Sequence, residues 1–235
     1  SDGIVVAAPD RELAVAAGES VPNTQMAVAV LPRIADLVEP RDPLLADEIR
    51  ARVAGYRAAL PVSWGGRFYY RAYYGDGVPV SADSVNLESQ VWALVGDTFA
   101  EPGERELLID EIASRLDDPS AVGAALWSGG PMWPAISGLL TWGYALSQPE
   151  RAWAHLERNT LASRAEAFPT IWYGIWSGPD GVSSTSGETW ASQVTPMQDF
   201  PVQNNNQHTM PILAALRVAG VDATFVPMLW QPSGN

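Results

Sequence analysis

The stretch PMWPAISGLLTWGYAL, Pro131 to Leu146, is apolar on nearly every face of a 3.6-residue helix. Such a helix has no side to turn toward water, so it belongs inside a layer of other helices. Its neighbours in the chain supply them. Gln148-Pro149 opens a helix running to about Ala167, with proline at its first position. Glu104 to Leu116 is amphipathic through Leu108, Ile109, Ile112 and Leu116. Asn86 to Val95 is a short apolar helix. Asp42-Pro43 reads as N-cap and first position of a helix stopped by Pro61. Thr24 to Val38 is mostly apolar, with Pro32 as a kink. The last helix, Thr209 to Ala219, ends at Gly220. The chain is therefore expected to be all-α and built from paired antiparallel helices.

The connections are as telling as the helices. Trp64 to Ser84 carries Phe68-Tyr69-Tyr70-Arg71-Ala72-Tyr73-Tyr74 and then Gly75-Asp76-Gly77, a hairpin-like aromatic ribbon. Ile171 to Gln207 holds Trp172, Tyr173, Trp176 and Trp190, three acids, and the run Asn204-Asn205-Asn206-Gln207. Loops beyond about 15 residues are usually functional or disordered, and this one is too aromatic for disorder. Long, chemically rich loops on one side of helix pairs point to part of an (α/α)6 toroid around a sugar-binding funnel. Seven helices are expected where a closed toroid has twelve. The 235 residues are accordingly expected to form a single domain that is a portion of such a barrel, completed by another segment or chain. The start Ser1-Asp2-Gly3, without an initiator Met, agrees with a processed, engineered or partial chain.

Composition removes several classes of function. The formal net charge is −13, which repels phosphate backbones and anionic lipid surfaces. No apolar run reaches the length needed to span a bilayer, and no targeting peptide is visible. With no cysteine there are no disulfides and no thiolate chemistry. All 14 basic residues are arginine, so no lysine can act as nucleophile or phosphate ligand. The two histidines, His155 and His208, lack metal-binding spacing, and neither metal nor cofactor is expected. No Gly-x-Ser-x-Gly elbow marks a serine nucleophile. The compartment is left open.

What the sequence has in excess is aromatics: 10 Trp, 7 Tyr and 5 Phe. Most tryptophans in any protein pack a core, but these bunch in loops with amides and acids, a composition suited to sugar rings. Paired carboxylates are the engine of glycoside cleavage: one protonates the leaving oxygen and the other activates water or attacks carbon. Any one acid is more often a solvated charge or a helix cap, and Asp42 and Asp117 read that way. Glu188 and Asp199 sit beside Trp190 and Phe200, where apolar neighbours favour a protonated carboxyl, and Asp180 shares their loop. Sugar hydroxyls would meet Asp76, Glu88, Gln90, Gln203, Asn204 and His208. Trp64, Trp172, Tyr173, Trp176 and Trp190 would offer aromatic faces. His155, between Trp153 and Arg158, reads as a surface or packed helix residue.

Several segments in order resemble one family. Ser1-Asp2-Gly3 and Gly18-Glu19-Ser20-Val21 are similar to the end of, and the stretch after, the Asp-Trp-Asn-Asp-Gly motif of family-94 glycoside hydrolases. FYYRAYYGDGVPVSADSVNLESQVWAL, Phe68 to Leu94, resembles the family's Trp/Tyr-x-x-Arg-Ala-Tyr-x-Asp-Asp-Gly segment with the following Gln-Ser-Trp-Ala. Gly129-Gly130 and the helix ending in Arg151-Ala152-Trp153 fit the following helix pair. IWYGIWSGPD, Ile171 to Asp180, with DFPVQNNNQH after it, resembles a branch of family-94-like proteins. The family includes cellobiose phosphorylases and cyclic β-1,2-glucan synthases. The resemblance implies an (α/α)6 barrel, inverting attack on a β-glucosidic bond, and a chain that begins mid-domain. It also implies a general acid at or before Asp2.

The departures bear on mechanism. Phosphorylases of the family hold phosphate with a His in a Tyr-Thr-His-Ala run. Here that run reads Met132-Trp133-Pro134-Ala135, and Asn204-Asn205-Asn206 replaces the family's Thr-Gly pair. The expected activity is hydrolysis or transglycosylation of a β-linked oligo- or polysaccharide, with the base among Asp180, Glu188 and Asp199. An inverting glycoside phosphorylase and a non-catalytic sugar-binding helical module are the alternatives.

Overall fold

A computed structural model describes residues 8–170, 181–188 and 205–221, with 205–208 as backbone alone. The chain divides into two compact units, Ser1–Leu108 and Ile109–Asn235. Nine α-helices and five two-residue strands occur among the described residues, so the protein is all-α in class.

The first unit begins with α1, Arg11–Ala17, which the periodicity reading overlooked. Asp10 caps it by accepting from the Leu13 backbone N–H at 2.9 Å. Strand β1, Glu19–Ser20, leads into α2, Val21–Val38, which runs through Pro32. Helix α3, Pro43–Ala59, starts where Asp42-Pro43 forecast, with Asp42 Oδ1 accepting from Leu45 N–H. Helix α4, Leu87–Gly96, is capped by Asn86. Helix α2 packs against both α3 and α4. Val28 and Ala35 of α2, Ala46 and Val53 of α3, and Leu87, Val91 and Leu94 of α4 are buried. Between α3 and α4 the aromatic ribbon folds as expected. Strand β2, Ala72–Tyr73, pairs antiparallel with β3, Pro79–Val80, around Gly75-Asp76-Gly77, and β1 pairs on its other side.

Helix α5, Glu104–Ile112, ends four residues short of the expected Leu116 and widens into a π-helical turn, Ala113–Asp117. The long apolar helix is also shorter than its composition suggested. Pro131–Met132 forms strand β4, and helix α6 spans Pro134–Ala145 with Pro134 at its first turn. The helix expected from Gln148 to Ala167 is two: α7, Pro149–Arg158, and α8, Leu161–Ala167. Thr160 breaks it, its hydroxyl accepting from Ser163 N–H as the N-cap of α8. Strand β5, Val182–Ser183, pairs with β4. The last helix, α9, spans Asn205–Val218, starting earlier than Thr209. Helix α6 packs against α7 and α9, burying Leu140, Tyr144, Ala152, Ala214 and Val218. A second small core joins Val122, Met132 and Val182 under Leu161 and Phe168.

Candidate functional site

Four of the candidate sugar-binding residues lie in the first unit. Trp64 is half-buried, its ring 5.0 Å from Tyr69 and 6.3 Å from Phe99 in edge-on contacts. Gln90 of α4 is fully buried. Its amide carbonyl accepts from Tyr69 N–H at 2.9 Å, and its nitrogen donates to Tyr69 O and Asn86 O. Both N–H bonds are spent on backbone, so Gln90 works in this structure as a clamp on the ribbon rather than a group offered to solvent. Asp76 is exposed and accepts from Val78 N–H, which closes the β2–β3 turn. Glu88, in the first turn of α4, pairs with Arg71 at 2.7 Å, and Arg71 is only 9% exposed. Trp64, Glu88 and Gln90 thus gather around Phe68–Arg71, while Asp76 sits at the hairpin tip.

Glu188 belongs to the second unit, where two tight turns lie side by side. In the first, Leu126 N–H donates to Pro131 O and Gly130 N–H to Trp127 O, both at 2.8 Å. The Trp127 indole lies on Gly130: a Cβ at that position would fall 2.6 Å from the ring. Trp127 is nevertheless 42% exposed. The second turn closes through Ser183 N–H to Glu188 O at 2.8 Å and Gly187 N–H to Ser183 O. Ser183 Oγ accepts from Ser186 N–H at 3.1 Å. The β4–β5 pairing and a buried bond from Ser184 Oγ–H to Gly130 O, 2.7 Å, lock the two turns together. Glu188 emerges exposed, its carboxylate accepting from Ser186 Oγ–H at 3.2 Å. Trp127 escaped the sequence reading. The signal was there: a Trp two residues ahead of a Gly-Gly turn, where the missing side chain leaves room for a ring.

Asp2, Asp180, Asp199, Trp172, Tyr173, Trp176, Trp190, Gln203 and Asn204 lie outside the described residues. His208 is described only as part of the backbone of α9.

A third cluster centres on two fully buried side chains, Asp117 and His155. Asp117, read from sequence as a solvated charge or cap, is fully buried at the end of the π-helical turn. It is held by Arg158, whose Nη2 donates to Oδ1 at 2.7 Å while Nη1 donates to the carbonyls of Asp117 and Ser120. Burial forbids an unpaired carboxylate, and the partner lies 41 residues along the chain. His155 is packed rather than superficial, with no exposure. Its Nε2 faces the Ala124 N–H at 3.3 Å, a group that can only donate, which places the neutral ring's proton on Nδ1, 2.8 Å from Thr141 Oγ1. Ser137 Oγ also lies 3.2 Å from Nε2. Burial keeps the imidazole pKa below its ordinary value. The Ser137–His155–Asp117 grouping is no nucleophilic triad. Ser137 and Asp117 approach the same nitrogen, Nε2, whereas a relay needs them on opposite ones.

Arg158 also lines an open cavity of about 610 Å³ with Asp118, Gln148, Glu150 and Arg151. Two acids balance two guanidiniums there, and both guanidiniums already have partners in Asp117, Gln148 and Asp118. Among the described residues no group of three His, Asp or Glu is placed to hold a metal ion, and no helix is long and apolar enough to cross a membrane. Compared with known proteins, the chain matches no family model, and no curated protein matches it.

Proposed function

We propose that this chain is part of a carbohydrate-active enzyme that cleaves or transfers β-glucosidic bonds with inversion, built as a portion of an (α/α)6 toroid. The observation that carries the reading is the locked pair of turns. They put an exposed carboxylate, Glu188, and a half-exposed indole, Trp127, on one rigid ribbon. A hexose lays its C–H face on an aromatic ring, and a carboxylate takes a proton from a hydroxyl or from water. The packing of α2 on α3 and of α6 on α7 supports this reading. In this reading Glu188, Asp180 or Asp199 is the base. The general acid in this reading is Asp2 or a residue before it, and inversion needs a water between acid and base. Trp172, Tyr173, Trp176, Trp190, Gln203, Asn204 and His208 are the further sugar-binding candidates of the second unit, and Trp64, Asp76 and Glu88 those of the first.

Water or a sugar hydroxyl is the preferred acceptor over phosphate. Pro134 stands where a phosphate-binding imidazole is required, at the first turn of α6, and offers neither a side-chain donor nor a backbone N–H. The test is a panel of β-linked glucose disaccharides and glucans, each incubated with and without inorganic phosphate and scored for released reducing sugar and sugar 1-phosphate. The expected result is phosphate-independent cleavage or transfer that Glu188→Gln abolishes while sugar affinity is retained. Strict phosphate dependence with a sugar 1-phosphate product makes the protein a phosphorylase. Sugar binding without turnover makes it a binding module.

A further inference from the structure

His155 is tied to the Trp127 turn by one hydrogen bond and a short stretch of chain. Its Nε2 accepts from Ala124 N–H, and Ala124 is three residues before Trp127. Between them Ala125 bridges Met132 of β4, and Leu126 donates to Pro131 O. Just upstream, Gly123 has φ +104°, and a Cβ there would lie 2.8 Å from Ser137 Oγ. The backbone at 123–124 is therefore seated directly on the imidazole and its serine partner, with Gly123 in a conformation that side-chain-bearing residues avoid. Among the described residues, the charged and titratable groups that face His155 come from three places. Asp117 Oδ1 is 3.6 Å from Nε2, at the end of the π-helical turn. Tyr144 of α6 meets the ring edge-on at 5.7 Å. Arg151 and Arg158 of α7 contribute positive potential.

The neutral ring satisfies this surrounding fully: Nδ1–H donates to Thr141, and Nε2 accepts from Ala124. A proton added at Nε2 turns that acceptor into a donor. Two N–H groups then face each other across 3.3 Å, and the Ala124 bond cannot persist. The new donor has acceptors in Ser137 Oγ, 3.2 Å away, and in the Asp117 carboxylate, 3.6 Å away and within reach after a small shift. That carboxylate also holds Arg158, whose other nitrogen carries the Asp117 and Ser120 carbonyls of the same loop.

We propose that His155 is an acid-sensitive latch: taking up one proton at Nε2 releases the Ala124 backbone and unseats the Trp127 turn. Its use, regulation of a sugar platform by pH, rests on the function proposed above, but the latch itself does not. Depression of the imidazole pKa by burial agrees with a latch that stays closed at neutral pH and opens only in acid.

The protein has two histidines, so long-range 1H–15N spectra of the full chain resolve His155 directly. From pH 8 to pH 5, the spectra should show an Nδ1–H tautomer that gains its second proton with a midpoint below the ordinary imidazole value. With the same midpoint, amide exchange at Ala124 should rise by about tenfold or more. The Trp127 indole signal, identified by its loss in Trp127→Phe, should shift in parallel. In His155→Gln both responses should vanish. Flat Ala124 and Trp127 signals while His155 titrates would overturn the latch, as would the same pH response persisting in His155→Gln. The wild-type titration decides the matter even if that variant does not fold. A sugar titration at pH 8, scored separately, reports on the carbohydrate function, so failure of one is distinguishable from failure of the other.

Discussion

Asp117 and Arg158 meet at 2.7 Å with the carboxylate completely buried and the guanidinium about one-third exposed. The pair straddles the boundary of the second unit's interior, and the asymmetry makes the arginine the residue that keeps the acid tolerable. Arg158→Met should therefore destabilise the protein by about 3 kcal/mol or more, because it strands a buried charge. Asp117→Asn in the same background should recover much of that loss. Urea unfolding midpoints of the single and double variants measure both effects, and an unshifted midpoint in Arg158→Met would refute the assignment.

Stability should fall as pH drops below the ordinary imidazole value of about 6.5. His155 has a depressed pKa in the folded protein, so between the two pKa values the unfolded chain binds a proton that the folded one refuses. That contribution is constant above the unfolded value and is lost progressively through the window beneath it. Thermal unfolding followed from pH 8 to pH 5 should show the decline, and His155→Gln should flatten it.

Gln90→Leu removes the partner of the buried Tyr69 N–H and C=O and should cost about 1–3 kcal/mol. Asp76→Ala loses one exposed turn bond and should cost well under about 1 kcal/mol. Chemical denaturation of the two variants side by side checks the contrast. If both behave alike, Gln90 is not the clamp its bonds describe.

Gly123→Ala combines a positive φ with a Cβ 2.8 Å from Ser137 Oγ. The expected loss is about 1–3 kcal/mol, and Ser137→Ala should relieve the steric part but leave the backbone part. A melting temperature indistinguishable from wild type in Gly123→Ala would show that the loop adapts freely.

Trp127→Ala should weaken binding of a β-linked glucose oligosaccharide by about tenfold, since one stacked ring is worth about 1–1.5 kcal/mol. The fold should be unaffected, because the indole rests on a turn rather than in the core. Isothermal titration with the intact chain reads the affinity, and unchanged binding would remove Trp127 from the sugar site.

Most of what the sequence determined is local in the chain. Asp42-Pro43 and Gln148-Pro149 open helices, and Gly75-Asp76-Gly77 turns a hairpin, because caps, prolines and turn glycines act within a few residues of where they stand. The apolar composition of Pro131–Leu146 was enough to demand a buried helix, though not to show that Pro131–Met132 would be drawn off into β4. That depended on β5, some fifty residues later, offering backbone partners. The same distinction separates the candidate residues. Glu88 and Gln90 stand two residues apart in the first turn of α4, yet one pairs with Arg71 and the other grips Tyr69, because the fold returns the ribbon against α4. Asp117 carried no local sign of burial beyond its awkward place at a helix C-terminus, where negative charge is disfavoured. Only the packing of α6 and α7 around the π-helical turn sealed it from water, and burial made Arg158, 41 residues away, its necessary partner.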